Sequence, residues 1–384
     1  MHYFVYAKKD ATIYSGSKVD IYSSQPENQN TGLDQILEIS KVTKPNFAED
    51  EASRILIQFD LTDLETNIKN NIFPNFSSDT KYNLRLYEAT SRELQTVDTI
   101  YAYPLSSSWD MGVGHKLDNP YELEGATWYN KSDGSNWTNS GSLDAQDFSS
   151  TFDSNSMIAS QSFEYGTKDI DMDVSKIVFE WVEQAYVDGG YMVDGWVTNQ
   201  HPNYGFIVKR SNSAEIDTTN YGTLSFFSRE TQTIYVPKLE LKWDDSVWNT
   251  GSLSALTDDD IVVNVRNLQS QYQEKSKEKI RVVGREKYPA KTYSKTHEGL
   301  IVKYLPSGSC YYSVRDAQTD EVIIPFDDYT KLSCDSSGNY FNFWFDGLQP
   351  ERFYRFCFKV VQNANTSTEN IRYFDNDDTF KVVR

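Results

Sequence analysis

With 384 residues the chain is long for one hydrophobic core, which usually stops growing near about 250–300 residues, so two domains are expected. Its 26 Tyr, 21 Phe and 8 Trp favour strands and contact surfaces over helices and point to an all-β class. A formal charge of −19 excludes nonspecific binding to nucleic acid or to an anionic membrane, because phosphate contacts need clustered Lys and Arg.

In chain order, Tyr3, Val5 and Ala7 alternate as in a strand, and the absence of a basic start before a long apolar stretch predicts a protein made without a secretion signal, in a cytoplasm. Residues 11–14 and 36–39 read as further strands. Residues 53–61 are apolar at Ile55, Ile57 and Phe59 and again at Leu56 and Leu61, the pattern of a central strand covered on both faces. Strand patterns recur at 82–87, 95–104, 206–208 and 223–227. The stretch 130–156, rich in Ser, Asn, Asp and Gly, predicts a long surface loop. From Val174 the spacing becomes helical, with Val174, Ile177, Val178 and Trp181 on one face and Asp173 as the N-cap, so one short amphipathic helix is expected to plug the end of a sandwich. Residues 237–243 alternate Leu239, Leu241 and Trp243 with Lys238, Glu240 and Lys242, a closing strand with one wet face. Together these predict a jelly-roll-like β-sandwich over residues 1–245. The polar, small residues 246–260 read as a linker, and eight strand candidates over 261–384 fit an immunoglobulin-like β-sandwich.

No run of eighteen apolar residues occurs, so no membrane span is expected. The three widely spaced cysteines, Cys310, Cys334 and Cys357, suit neither a disulfide framework nor a zinc site and read as buried thiols. Asp169, Asp171 and Asp173 project from one face of a strand and are candidate calcium ligands, against the plainer reading of a solvated edge leading into a helix cap. No other cofactor is expected. None of the four histidines sits in a nucleophile motif and no phosphate-binding glycine loop is present, so no catalytic residue is assigned.

Two contact surfaces are expected. Tyr103, Trp109, Tyr121, Trp128, Tyr129 and Trp137 are residue types that stack on sugars and anchor protein partners, against the plainer reading, for any single one, of burial beneath the loop. Residues 266–303 carry ten Lys or Arg against four Glu, a local excess of +6, and Lys277, Lys279, Arg281, Arg285, Lys287 and Lys291 form a candidate basic docking face for an acidic neighbour, including another copy of the chain.

Four segments in this order, 51–61, 171–181, 203–206 and 237–243, resemble the β-sandwich modules of the DNRLRE type, related to carbohydrate-binding modules. Residues 9–16 are similar to the family's opening strand, and the turn 29–32 to its Asn-x-Gly turn. The resemblance covers roughly residues 8–243 and implies a binding-module sandwich. The region between motif strand and helix is longer than in the family, and family members are typically secreted. An acidic, Tyr-rich chain of two such sandwiches without a leader looks like a noncatalytic structural protein of a tailed-bacteriophage virion, of the neck or collar, tail or baseplate. It would assemble as a symmetric homo-oligomer with other virion proteins. The alternative is an adhesion module that binds a host-surface glycan through the aromatic region.

Overall fold

The alternation that opens the sequence extends over thirteen residues, so the two expected strands at 3–7 and 11–14 are one, β1 (His2–Tyr14). The computed structural model describes residues 1–15, 28–42, 51–74, 79–116, 118, 120, 122–138, 158–163, 169–187, 202–257, 260–289, 302–364 and 366–384. The contacts divide these residues into two units, Val5–Glu240 on the one hand and Met1–Phe4 with Leu241–Arg384 on the other. Among the described residues no helix is long and apolar enough to cross a membrane.

The Val5–Glu240 unit carries β1 from Val5 onward, then β2 (Ile36–Val42), β3 (Glu51–Phe59), α1 (Thr62–Lys69), β4 (Lys81–Leu86), β5 (Glu88–Arg92), β6 (Asp98–Pro104), β7 (Asn130–Ser132), β8 (Ser135–Asn136), β9 (Ala159–Phe163), β10 (Ile170–Asp173), α2 (Ser175–Val187), β11 (Phe206–Arg210), α3 (Asn212–Ile216), β12 (Gly222–Phe227) and β13 (Lys238–Lys242). Its main sheet has the order β10-β4-β13-β1-β3-β11-β6-β9, and the start of β3 also pairs with β2, which leads to β12 and β5. Ile55, Leu56 and Ile57 of β3 are fully buried, as a central strand requires. Helix α2 forms where the 3.6-residue spacing predicts it and buries Ile177, Val178 and Trp181. Helix α1 has only Leu64 and Ile68 as a buried pair four residues apart, too short a signal to read from sequence. The hairpin β7–β8 begins the expected surface loop, whose residues 139–157 lie outside the described ones.

One wet face was expected on β13, yet Lys238 and Glu240 are buried. Arg85 on β4 donates to Glu240 at 3.1 Å, and the Lys238 ammonium lies 5.3 Å from the Tyr87 ring, so a charged partner and an aromatic cover replace water. The turn that resembles the family's Asn-x-Gly is a buried hub. Asn30 Nδ2 donates to the carbonyls of Met111 and Ala126 at 2.8 and 2.9 Å, and Asn30 Oδ1 accepts from the amides of Gly32 and Gly114 at 3.1 and 2.9 Å. A Cβ on Gly32 would stand 2.2 Å from the Met111 carbonyl oxygen, which is why the position takes no side chain.

Asp10 of β1 is buried with Oδ2 accepting from the Arg229 amide at 2.7 Å, while Oδ1 has no partner among the described residues. Burial pushes this carboxyl up to about 7, against the pull of the Arg229 amide and charge. The folded form thus holds a proton that the unfolded chain releases near pH 4, and this stabilisation is lost as pH rises through about 7. Asp10→Asn should therefore raise the Tm at pH 8 and flatten the decline between pH 5 and 8 in differential scanning calorimetry; an unchanged slope would show that Asp10 does not titrate there.

The second unit carries β14 (Ser254–Ala255), β15 (Ile261–Arg266), β16 (Gln271–Gln273), β17 (Lys277–Glu286), β18 (Lys303–Tyr304), β19 (Cys310–Asp316), β20 (Val322–Ile324), β21 (Ser333–Asp335), β22 (Gly338–Trp344), β23 (Phe353–Gln362) and β24 (Asn370–Val383). One sheet runs β15-β17-β22-β21, with β14 and β18 added beside β17. The other runs β16-β24-β23-β19-β20, with β16 parallel to β24. Eight of these strands, taken as A, B, C, C′, D, E, F and G in chain order, give the ABED and GFC sheets of an immunoglobulin-like sandwich. At the start of β23 the Tyr354 hydroxyl donates to the Gln349 carbonyl at 3.0 Å, the tyrosine corner of that fold.

The aromatic composition goes largely into this core. Phe341 and Phe343 of one sheet meet Tyr312, Phe356, Phe358 and Phe380 of the other, with Phe341 stacked on Tyr312 at 4.2 Å. Phe4 belongs to the same core, Tyr3 donates to Asp346 at 2.8 Å, and the Trp243 amide donates to the Met1 carbonyl at 3.1 Å. Residues 246–260, read as a linker, contribute the bridge Trp248 to Cys334, strand β14 and the buried Leu256, so the sandwich already includes them. All three cysteines are buried and free.

Candidate binding face

The structure does not assemble the aromatic residues into a surface. Trp109, Trp128 and Trp137 are buried and pack with Ile13, Leu56 and Ile207. Trp109 Nε1 donates to the Tyr204 carbonyl and Trp137 Nε1 to the Thr127 carbonyl, each at 2.9 Å, while the Arg54 guanidinium covers the Trp128 ring at 4.5 Å. Indoles buried in this core present no open face to a sugar ring. Tyr103 is partly buried against the same cluster and stacks on Tyr101 at 6.3 Å; Tyr129 alone is well exposed, and Tyr121 lies outside the described residues.

Beneath Trp128 lies a charged cluster that the sequence did not single out. Arg54 on β3 donates through Nε and Nη2 to Glu215 at 3.1 and 2.6 Å, and Lys209 on β11 reaches the same carboxylate at 3.3 Å and also contacts Asn212. Ser211 caps α3 by accepting from the Ala214 amide at 3.1 Å, and that short helix carries Glu215 back to Arg54. Burial pushes the Lys209 ammonium down to about 8; Glu215 opposes the shift and Arg54 adds to it. Next along β11, Arg210 donates twice to Asp98, at 3.1 and 2.9 Å, and to the Ile39 carbonyl at 2.9 Å. These groups are saturated by one another and hold strands together.

Asp171 and Asp173 lie on the exposed face of β10, with Asp169 just before the strand, and each carboxylate meets a donor. Asp169 accepts from the Glu88 amide at 2.7 Å, Asp171 from Asn83 at 2.7 Å, and Asp173 from Lys81 at 2.9 Å. Asp173 also accepts from the amide and hydroxyl of Ser175 at the start of α2, so it serves as the cap the sequence suggested. Burial raises its carboxyl, but the Ser175 and Lys81 donors outweigh that and hold it below the usual range. Among the described residues no group of three His, Cys, Asp or Glu stands together as a metal site would.

The basic residues of β17 are the ones brought together. The period of two turns Ile280 and Val282 into the core and Lys277, Lys279, Arg281 and Arg285 outward on one face. Lys277 lies opposite Trp344 with its ammonium 5.1 Å from the ring, and Lys279 lies 3.6 Å above Tyr340. Arg281 forks onto Asp335 at 2.6 and 2.7 Å and Lys279 reaches the same carboxylate at 2.7 Å, which together hold Asp335 far below the usual carboxylate range. Arg285 donates to the Glu286 carbonyl at 3.1 Å, and Lys287 sits 5.5 Å from the ring of the exposed Tyr288. Lys291 lies outside the described residues. Asp335, Tyr340 and Trp344, which complete this face, could not be placed from the sequence because they arrive from β21 and β22. Nearby, Arg266 at the end of β15 pairs in register with Arg281. The arrangement can bind anions and aromatic-flanked acidic groups. A scan against protein-family models finds no match to the chain, and a search of curated proteins finds none either.

Proposed function

We propose that this chain is a noncatalytic structural component of a virion of the tailed-bacteriophage kind, in the neck or collar, tail or baseplate, and that it works through protein–protein contacts with itself and with other virion proteins. The observation that carries this reading is the distribution of charge. The Val5–Glu240 unit has 18 Lys or Arg against 35 Asp or Glu, a balance of −17, while Met1–Phe4 with Leu241–Arg384 has 19 against 21, a balance of −2. Within the second unit the positive groups line up on the outer face of β17. A chain that segregates its charges in this way suits repeated head-to-tail contact between copies, since an acidic surface and a basic strand face steer each other together. Each all-β unit, with its buried charges committed to internal pairs, supplies a folded platform for such contacts.

Purified particles decide the matter. Quantitative mass spectrometry should find the chain at a fixed ratio to the major particle proteins, in a copy number that fits a ring or a shell. Its absence from particles that are otherwise complete would end this reading.

A further inference from the structure

Beside the basic face of β17 lies a pocket of ≈ 260 Å³, lined by Arg266, Asn267, Arg281, Ser337 and Asn339 with two valines at its floor. Strands β15 and β17 are antiparallel and place Arg266 directly opposite Arg281, so two guanidinium groups stand on one face of neighbouring strands. Like charges in that position oppose strand pairing unless an anion lies between or beside them. Asp335 answers Arg281. No described residue answers Arg266, whose guanidinium has neither a hydrogen bond nor an ion pair with any of them. The Asn267 amide and the Ser337 hydroxyl are likewise without a partner among the described residues, whereas Asn339 is committed to the Leu305 amide and the Ser333 carbonyl. The left-handed backbone at Asn267, with φ of 56°, is a conformation asparagine tolerates at a strand end.

We propose that this pocket is a carboxylate site that receives an Asp or Glu side chain from the acidic Val5–Glu240 unit of a second copy of this chain. Three donors without a partner among the described residues, one of them a planar fork suited to two carboxylate oxygens, line a space that fits one side-chain head. The flanking Lys277, Lys279 and Arg285 add a positive field around it. The partner is supplied by the chain itself, whose Val5–Glu240 unit carries nearly all of its net charge.

The proposal rests on the reading of the chain as an assembling protein but fails separately from it. Sedimentation velocity of the whole chain should show concentration-dependent association in about 50 mM NaCl that is largely lost in about 500 mM, as screening shortens the reach of exposed charges. Arg266→Glu should weaken association at low salt by about ten-fold or more, and Arg266→Lys, which keeps the charge and loses the fork, by less. Because Arg266 is exposed, Arg266→Lys should keep the wild-type Tm, and Arg266→Glu, which faces Arg281 across the strand pair, should keep or slightly raise it, so a loss of association is not a loss of folding. A chain that stays monomeric at both salt concentrations, or that associates equally well as Arg266→Glu, overturns the pocket even if the protein is found in particles. Association through Arg266 in a protein missing from particles leaves the pocket standing and removes the virion reading.

Discussion

Replacing Arg54 with methionine should destabilise the Val5–Glu240 unit by about 3–5 kcal/mol, the usual result of removing one partner from a buried ion pair. Arg54 is 1% exposed, and without it Glu215 keeps, among the described residues, only the cation of Lys209, itself held below its ordinary basicity by burial. The Trp128 ring also loses the guanidinium that covers it at 4.5 Å. Charge is the cause, so neutralising the whole cluster should do less harm than breaking it: Arg54→Met with Lys209→Met and Glu215→Leu should recover part of the loss. Urea unfolding followed by fluorescence is the measurement. A single-variant loss below about 1 kcal/mol would mean that water reaches this cluster and that the ions are not truly desolvated.

Phe4→Ala should cost the other unit a similar amount, about 3–5 kcal/mol, by opening a cavity in its core. Phe4 is 4% exposed among Tyr312, Phe345 and Leu348, and its Cβ lies 2.5 Å from where a Cβ on Gly347 would stand. Gly347 holds a φ of 91°, which glycine alone adopts freely, and so it is fitted to Phe4 in both shape and backbone. Hydrogen exchange is the discriminating readout. Amides of β17 and β23 should lose protection in the variant while those of β3 and β11 keep theirs; equal loss throughout would contradict the grouping of Met1–Phe4 with Leu241–Arg384.

Much of the fold was legible because it is written in period. The core strand β3 and the helix α2 follow from spacing alone, whereas the cations of β17 were marked by a local excess of charge. What was hidden depends on partners distant in the sequence. Nothing in the text around Arg54 says that Glu215, 161 residues on, will meet it, and without that meeting an arginine on a strand reads as exposed. Lys209 and Arg210 mislead in the same way, since β11 is buried along its whole length. The tryptophans at 109, 128 and 137 were ambiguous between core and surface for a related reason: the carbonyls that accept from Trp109 and Trp137, and the Arg54 guanidinium that covers Trp128, are brought near only by the folded chain. Of the basic face the cations could be found, but not Asp335, whose carboxylate binds two of them.

Strand β1 also has a timetable. Its first three residues, 2–4, belong to a unit whose other members begin at Leu241, so synthesis at ~5–20 residues per second separates the two by roughly 10–50 s. For that interval Tyr3 and Phe4 have been made but have nowhere to go, while the rest of the same strand can already pair with β3. The unit that contains Leu241–Arg384 is thus completed by residues made well before it, and its folding waits for a search across the intervening chain instead of a local turn.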